Sequence, residues 1–439
     1  MRIFETDRDP VEEVLAALSA EPAGPDVELQ ETVRQIIADV KSRGDEALLE
    51  LGKKFDSPDL AELQVSAEEF EEACASIKPE LLEAIRTAKS NIEAFHRKQL
   101  QNSWLEMHED FVYGQVVSPI EKVGFYAPGG LAPYPSTVLM TAVPGVVAGV
   151  KELVMCSPVQ TDGKMHGAML AAARECGVTE VYKVGGAQAV AAMAFGTKTV
   201  PKVDKIVGPG NPYVTEAKRQ LFGWVGIDQL AGPSEILVLA DASANASYVA
   251  ADLLSQAEHG PDSRCVLITN SRKIADAVLK EVKVQTESAA RKDYINKSLG
   301  DYGVVVIGRD LDECIDLANT FAPEHLEIAV AEPWEVLKKI KNAGAIMIGH
   351  NTPVPLCDFA AGPNHTLPTG GTARFSSALS VDDFTKKSEL LSYGEKALGD
   401  IAPVVLEMAA SEGFEAHANA VRIRIGDVGS RESRRKLDG

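Results

Sequence analysis

The sequence contains no CxxC pair, and its six cysteines, Cys74, Cys156, Cys176, Cys265, Cys314 and Cys357, are scattered along 439 residues. That spacing argues against a disulfide framework or a structural thiolate zinc site and fits reduced thiols in a cytoplasmic protein. Long apolar runs are missing as well. The longest, "STVLMTAVPGVVAGV", is too short to span a bilayer and contains Pro144. The opening "MRIFETDRDPVEEVL" alternates charged and apolar residues and lacks the basic-then-apolar order of a signal peptide. Basic residues are in deficit, with 44 Lys and Arg against 64 Asp and Glu and a formal net charge of -20. This balance argues against a phosphate backbone or an anionic membrane as the main partner and tolerates a small cationic substrate. GxGxxG, HExxH and HxH signatures are absent, as are internal repeats and low-complexity segments.

What is present is enough for two or three domains, since 45% of the residues are hydrophobic. Residues 1 to about 100 read as helical, because "LQETVRQIIADVKSRGDEALLELGKKF" and "PELLEAIRTAKSNIEAFHRKQL" set apolar residues at helical spacing between charged ones. Their charge runs read as solvated faces. From about 150, short apolar strands ("ELVMCSP", "EVYKVGG", "KIVGPG", "EILVLAD", "RCVLITN", "GVVVIG", "LEIAV", "AIMIG") alternate with helical segments. Such alternation predicts parallel sheets covered by helices, an α/β fold. Residues 126–236, rich in Gly and Ala, are expected to form a second α/β domain inserted into a first one built from 24–125 and 237–379. Residues 1–23 are expected to be an N-terminal extension. Residues 380–439 read as helices with little core of their own, ending in the basic tail "SRESRRKLDG", and are expected to dock elsewhere.

Four of the eight histidines lie in polar motifs: "QAEH", "APEHLEI", "CDFAAGPNHTLPTGGT" and "EGFEAH". Zinc takes nitrogen and oxygen ligands, so His259, Asp358, His365 and His417 are all candidates, while Gln256 would be an unusual ligand. In "SQAEHGPDS", Gln256 and His259 sit three apart at the end of a helix that Gly260 and Pro261 stop. Glu324 and His325 are neighbours after Pro323 and would supply two proton acceptors of different pKa. Adjacent residues of a regular strand face opposite sides, so both reach one site only where the chain is irregular. The Gly-rich turns "VGGAQAV" and "VGPGNPYV" follow predicted strands and precede helices, where backbone N–H groups can receive a phosphate; plain tight turns are the alternative.

Taken together, "GFYAPGG", "VGGAQAVAAMAFGT", "VDKIVGPGN", "DQLAGPSEILVLAD", "SQAEHGPDS", "APEHLEI", "GPNHTLPTGGTARFSS" and "EGFEAHANAVRIRI" resemble the histidinol dehydrogenase family, in the family's order, from about residue 120 to 426. The resemblance implies two Rossmann-like parallel-sheet domains without the Gly fingerprint, plus helical terminal extensions. It implies oxidation of L-histidinol to L-histidine through the aldehyde, with two NAD per turnover and one zinc ion per subunit, in a homodimer whose C-terminal extension is exchanged. By position, the zinc ligands would be Gln256, His259, Asp358 and His417. Glu324 and His325 would be the proton acceptors. Ser234, His365 and Glu412 would join the metal ligands and His325 around the substrate. Tyr126, Gln188 and Asn211 would contact NAD in the 126–236 domain. Rival expectations are a related dehydrogenase acting on a sulfonated diol, a zinc hydrolase and a non-catalytic binding module. Glu412 suits a cationic amine and would repel a sulfonate, which favours histidinol over the first.

Overall fold

In the computed structural model the described residues are 1–19, 26–129, 133–178 and 180–426, and the chain divides into two units, residues 1–100 with 119–384 and residues 101–118 with those from 385 onward. In chain order the strands are β1 Arg2–Glu5, β2 Trp104–Met107, β3 Phe111–Pro119, β4 Lys122–Tyr126, β5 Glu152–Ser157, β6 Glu180–Lys183, β7 Lys205–Val207, β8 Gly226–Ile227, β9 Glu235–Ala240, β10 Arg264–Thr269, β11 Val304–Ile307, β12 His325–Ala329, β13 Ala345–Ile348 and β14 Thr385–Tyr393. The first unit holds two parallel sheets, ordered β1-β11-β10-β9-β12-β13 and β6-β5-β4-β7-β8. The expected α/β fold with two parallel sheets is the observed one.

The continuous apolar run of β9, "EILVLA", follows from burial on both faces. Ile236 and Val238 pack under the helices Ala246–Ala257 and Arg272–Glu287, while Leu237 and Leu239 pack with Phe321 and Leu18 on the other side. In each sheet the strand order reverses once, between β9 and β12 and between β4 and β7. The carboxyl end of such a reversal is the usual ligand crevice of an open α/β sheet.

The domain division expected from sequence differs from the packing. The helices Val27–Arg43, Asp45–Phe55 and Pro79–His96 bury Val33, Leu48 and Ile92 against the second sheet, not the first. Charged amphipathic helices show which face is buried and not which sheet covers it. Residues 2–5 are also no simple extension, since β1 is a parallel edge strand on β11.

The second unit contains an antiparallel sheet, β14-β3-β2, and the helices Glu395–Ser411 and Glu415–Arg422. Here the all-helical expectation fails for residues 385–393. Most of β14, "TKKSELLSY", is exposed, and its neighbour β3 lies far away in sequence, so no local apolar pattern marks the strand. Residues 427–439, with the basic tail, lie outside the described residues.

Candidate functional site

The irregularity needed to bring Glu324 and His325 to one place begins at Ala322. After the helix Leu311–Phe321 this residue turns left-handed, with φ 53 and ψ 63, the one positive-φ residue other than glycine among those described. Such a backbone costs an alanine about 1 kcal/mol. Pro323 follows, Glu324 stays outside the strand, and His325 opens β12. Both side chains are thereby buried at the amino end of β12 beside the start of β9. This is the end opposite to the crevice expected of a parallel sheet.

Glu235, the first residue of β9, holds both. Its backbone N–H donates to Glu324 Oε2 at 2.7 Å, and its carbonyl accepts from His325 Nδ1 at 2.9 Å. A carbonyl only accepts, so Nδ1 carries a proton, and Nε2 is the nitrogen turned toward the site. Nε2 faces Asp358 Oδ1 at 3.3 Å, and Glu324 Oε2 lies 3.6 Å from Nδ1. Burial alone would depress the imidazole's pKa. The charge of Glu324, with the bonds to Asp358 and Glu324, outweighs burial and raises it to about 10. Burial likewise pushes Asp358 upward, but the bond to His325 and the charges of His325, His365 and His259 hold its carboxyl below the usual range.

Asp358 ends the short helix Val354–Phe359, which packs against the helix Ala246–Ala257 that carries Gln256. Gln256 is 1% exposed, and neither its amide oxygen nor its nitrogen has a hydrogen-bond partner. A buried amide left this way costs about 1–3 kcal/mol, so it points to a partner from outside the chain. Exposed His259 follows it, with Nδ1 3.4 Å from Ser234 Oγ. His365 is engaged at both nitrogens: Nδ1 donates to the Asp358 carbonyl at 2.9 Å, and Nε2 meets Thr137 Oγ1 at 3.2 Å. Its pKa is lowered by burial.

The first unit therefore gathers Ser234, Gln256, His259, Glu324, His325, Asp358 and His365. Glu412 and His417 belong to the second unit, where both are exposed; Glu412 caps the helix Glu395–Ser411, and the His417 ring packs on Phe414. Among the described residues no three His, Cys, Asp or Glu side chains form a metal cluster. Gln256, His259 and Asp358 are nonetheless an oxygen, nitrogen and oxygen donor set suited in type to zinc, and the unpaired amide of Gln256 is what a metal would satisfy.

A cavity of about 560 Å³ lies at the carboxyl ends of β4 and β7, at the strand-order reversal of the second sheet. Tyr126, Gln188 and Asn211 all line it. The turns around it are not free phosphate cradles. Gly186 N–H donates to Tyr126 Oη at 3.2 Å, and Gly208 N–H donates to Asp228 Oδ2 at 2.8 Å. Gly208 is required where it stands, because a Cβ there would meet the Tyr126 carbonyl oxygen at 2.3 Å and φ is +105. The Asp228 carboxylate, paired with buried Lys218, already occupies an anion's place at that turn.

Sequence reasoning missed Asp56, which lines the cavity, and Glu235, which clamps the catalytic candidates. Asp56 follows a charged helical run that reads as solvent-facing, and a glutamate leading an apolar strand reads as a strand end. A buried carboxyl pair also escaped it: Asp252, one turn before Gln256, bonds to Glu327, two residues after His325.

A family model described as histidinol dehydrogenase matches residues 20–425. The histidinol dehydrogenase of Clostridium acetobutylicum is 46% identical over 425 residues, covering 97% of this chain and 99% of the relative. That of Geobacter sulfurreducens is 50% identical over 402 residues, covering 91% and 94%. A crystal structure of histidinol dehydrogenase from Elizabethkingia anophelis superposes with a TM-score of 0.92 at 39% identity, with 98% of each chain covered.

Proposed function

Because the chain belongs to the histidinol dehydrogenase family and is thus an oxidoreductase, we propose that its two sites together oxidise L-histidinol to L-histidine through the aldehyde, with two NAD per turnover. The observation that carries this reading is the convergence of Glu324, His325 and Asp358 beside the unpaired amide of Gln256.

Gln256, His259 and Asp358 would hold a zinc ion, with His417 as the fourth ligand. Zinc would supply a Lewis-acidic anchor for the imidazole and amine of the substrate. The chain does the rest. Ser234 and His365 flank the substrate. Glu412 and His417 are proposed as the contribution of a second copy of the chain in a homodimer. His325 Nε2 takes the alcohol proton as hydride leaves carbon for the first NAD. At rest the neighbouring carboxylates keep the ring protonated on both nitrogens; with Asp358 engaged by the metal, the ring would release its Nε2 proton to solvent before the alcohol binds, and Glu324 would stabilise the imidazolium that re-forms. Glu324 then removes a proton from water as the water attacks the aldehyde carbon. The hydrated adduct passes its remaining hydride to a second NAD and becomes the carboxylate. Both dinucleotides are assigned to the cavity of Tyr126, Gln188 and Asn211, whose lining has an apolar majority with a few polar groups.

The test is reduction of NAD by purified zinc-loaded protein given L-histidinol, run beside a sulfonated diol. Turnover of histidinol alone supports the reading, and turnover of the diol alone overturns it.

A further inference from the structure

The cavity assigned to the dinucleotide contains one charge that the catalytic account does not use. Asp56 caps the helix Asp45–Phe55 and lines the cavity with Tyr126, Gln188 and Asn211. Its carboxylate approaches the backbone of Gly185, whose N–H points at it. A Cβ on Gly185 would lie 2.7 Å from Pro158 Cβ and 3.0 Å from Asp56 Oδ2, so the carboxylate packs directly against this glycine. Oδ2 is buried and has no hydrogen-bond partner of good geometry. Burial raises the carboxyl's pKa to about 6, which leaves it mostly ionised at neutral pH and short of donors. Among the described residues that line the cavity there is no lysine and no arginine.

A desolvated carboxylate seeks hydroxyl donors, and a ribose carries a vicinal pair of them. A phosphate on that ribose would bring a dianion against the carboxylate in a cavity without a compensating cation. We propose that Asp56 receives the hydroxyl pair of the adenosine ribose and thereby sets the selectivity of the site for NAD over NADP. The proposal rests on the reading of this cavity as the dinucleotide site.

The experiment measures NADH and NADPH dissociation constants by nicotinamide fluorescence for the parent, Asp56→Asn and Asp56→Ser, with Gln188→Ala as a control for the site. kcat and KM for NAD and NADP with histidinol are measured alongside, and melting curves report folding. Asparagine keeps the size of the side chain, and serine offers a second variant if asparagine perturbs folding. The parent is expected to prefer NADH by more than about 100-fold. Asp56→Asn should weaken NADH by roughly 10- to 100-fold, the range of one charge-assisted hydrogen bond, and leave NADPH equal or tighter. KM for NAD should rise while kcat stays within about two-fold. If Gln188→Ala weakens NADH but both Asp56 variants preserve the NADH to NADPH ratio, the ribose assignment is wrong and the cavity reading survives. If Gln188→Ala leaves NADH binding unchanged, the cavity is not the dinucleotide site and both fall.

Discussion

Replacing Glu327 by Gln should make the protein's stability less sensitive to alkaline pH. Glu327 and Asp252 are 2% and 6% exposed and share a side-chain hydrogen bond, while Glu327 Oε2 has no partner. Burial and the facing Asp252 push Glu327 up to about 9, and burial pushes Asp252 up to about 6. At neutral pH the folded pair therefore keeps about one proton that the unfolded chain, with ordinary carboxyls, has released. Raised acid pKa values mean that their stabilising contribution is full at low pH and is lost as pH rises, first through about 6 and then through about 9. One proton's difference corresponds to about 1.4 kcal/mol per pH unit, so between about pH 6.5 and 8.5 the pair removes about 3 kcal/mol. Glutamine keeps the shape, donates to Asp252 and cannot titrate. Calorimetric melts across that range should show the parent falling more steeply with pH than Glu327→Gln, so that the variant's advantage widens toward the alkaline end. Parallel curves would refute the shared-proton account.

The remaining predictions concern the site. Glu324→Gln should slow formation of the second NADH more than the first in single-turnover records, and equal loss in both would remove the division of labour between Glu324 and His325. His417→Asn should lower the zinc retained by dialysed protein, measured by elemental analysis; unchanged metal would contradict His417 as a ligand. Ala322→Gly should relieve the left-handed strain and be neutral to about 1 kcal/mol stabilising, read as a melting shift. A clear loss of stability would show that Ala322 is not strained.

Much of this was legible in the sequence because apolar runs such as "EILVLA" and "RCVLIT" are buried on both faces and announce parallel strands wherever they fall. The motifs around Gln256, Glu324 and Asp358 were legible because they combine titratable residues with helix and strand ends. What stayed hidden depends on contacts across the chain. The exposed strand β14 carries no apolar signature, and the helix Val27–Arg43 does not reveal which sheet covers it. The amide hydrogen of Gly208 looked available for phosphate, but Asp228, twenty residues on, takes it. Asp56 and Glu235 gain their meaning from Gly185 and from the Glu324–His325 step, which no local pattern reveals.

The most direct test of the central claim is to count NADH formed per L-histidinol consumed by purified protein, with and without a chelator. Two NADH per histidinol, abolished by chelation and restored by zinc, is the predicted result. One NADH with free aldehyde released, or two NADH unaffected by chelation, would contradict the account.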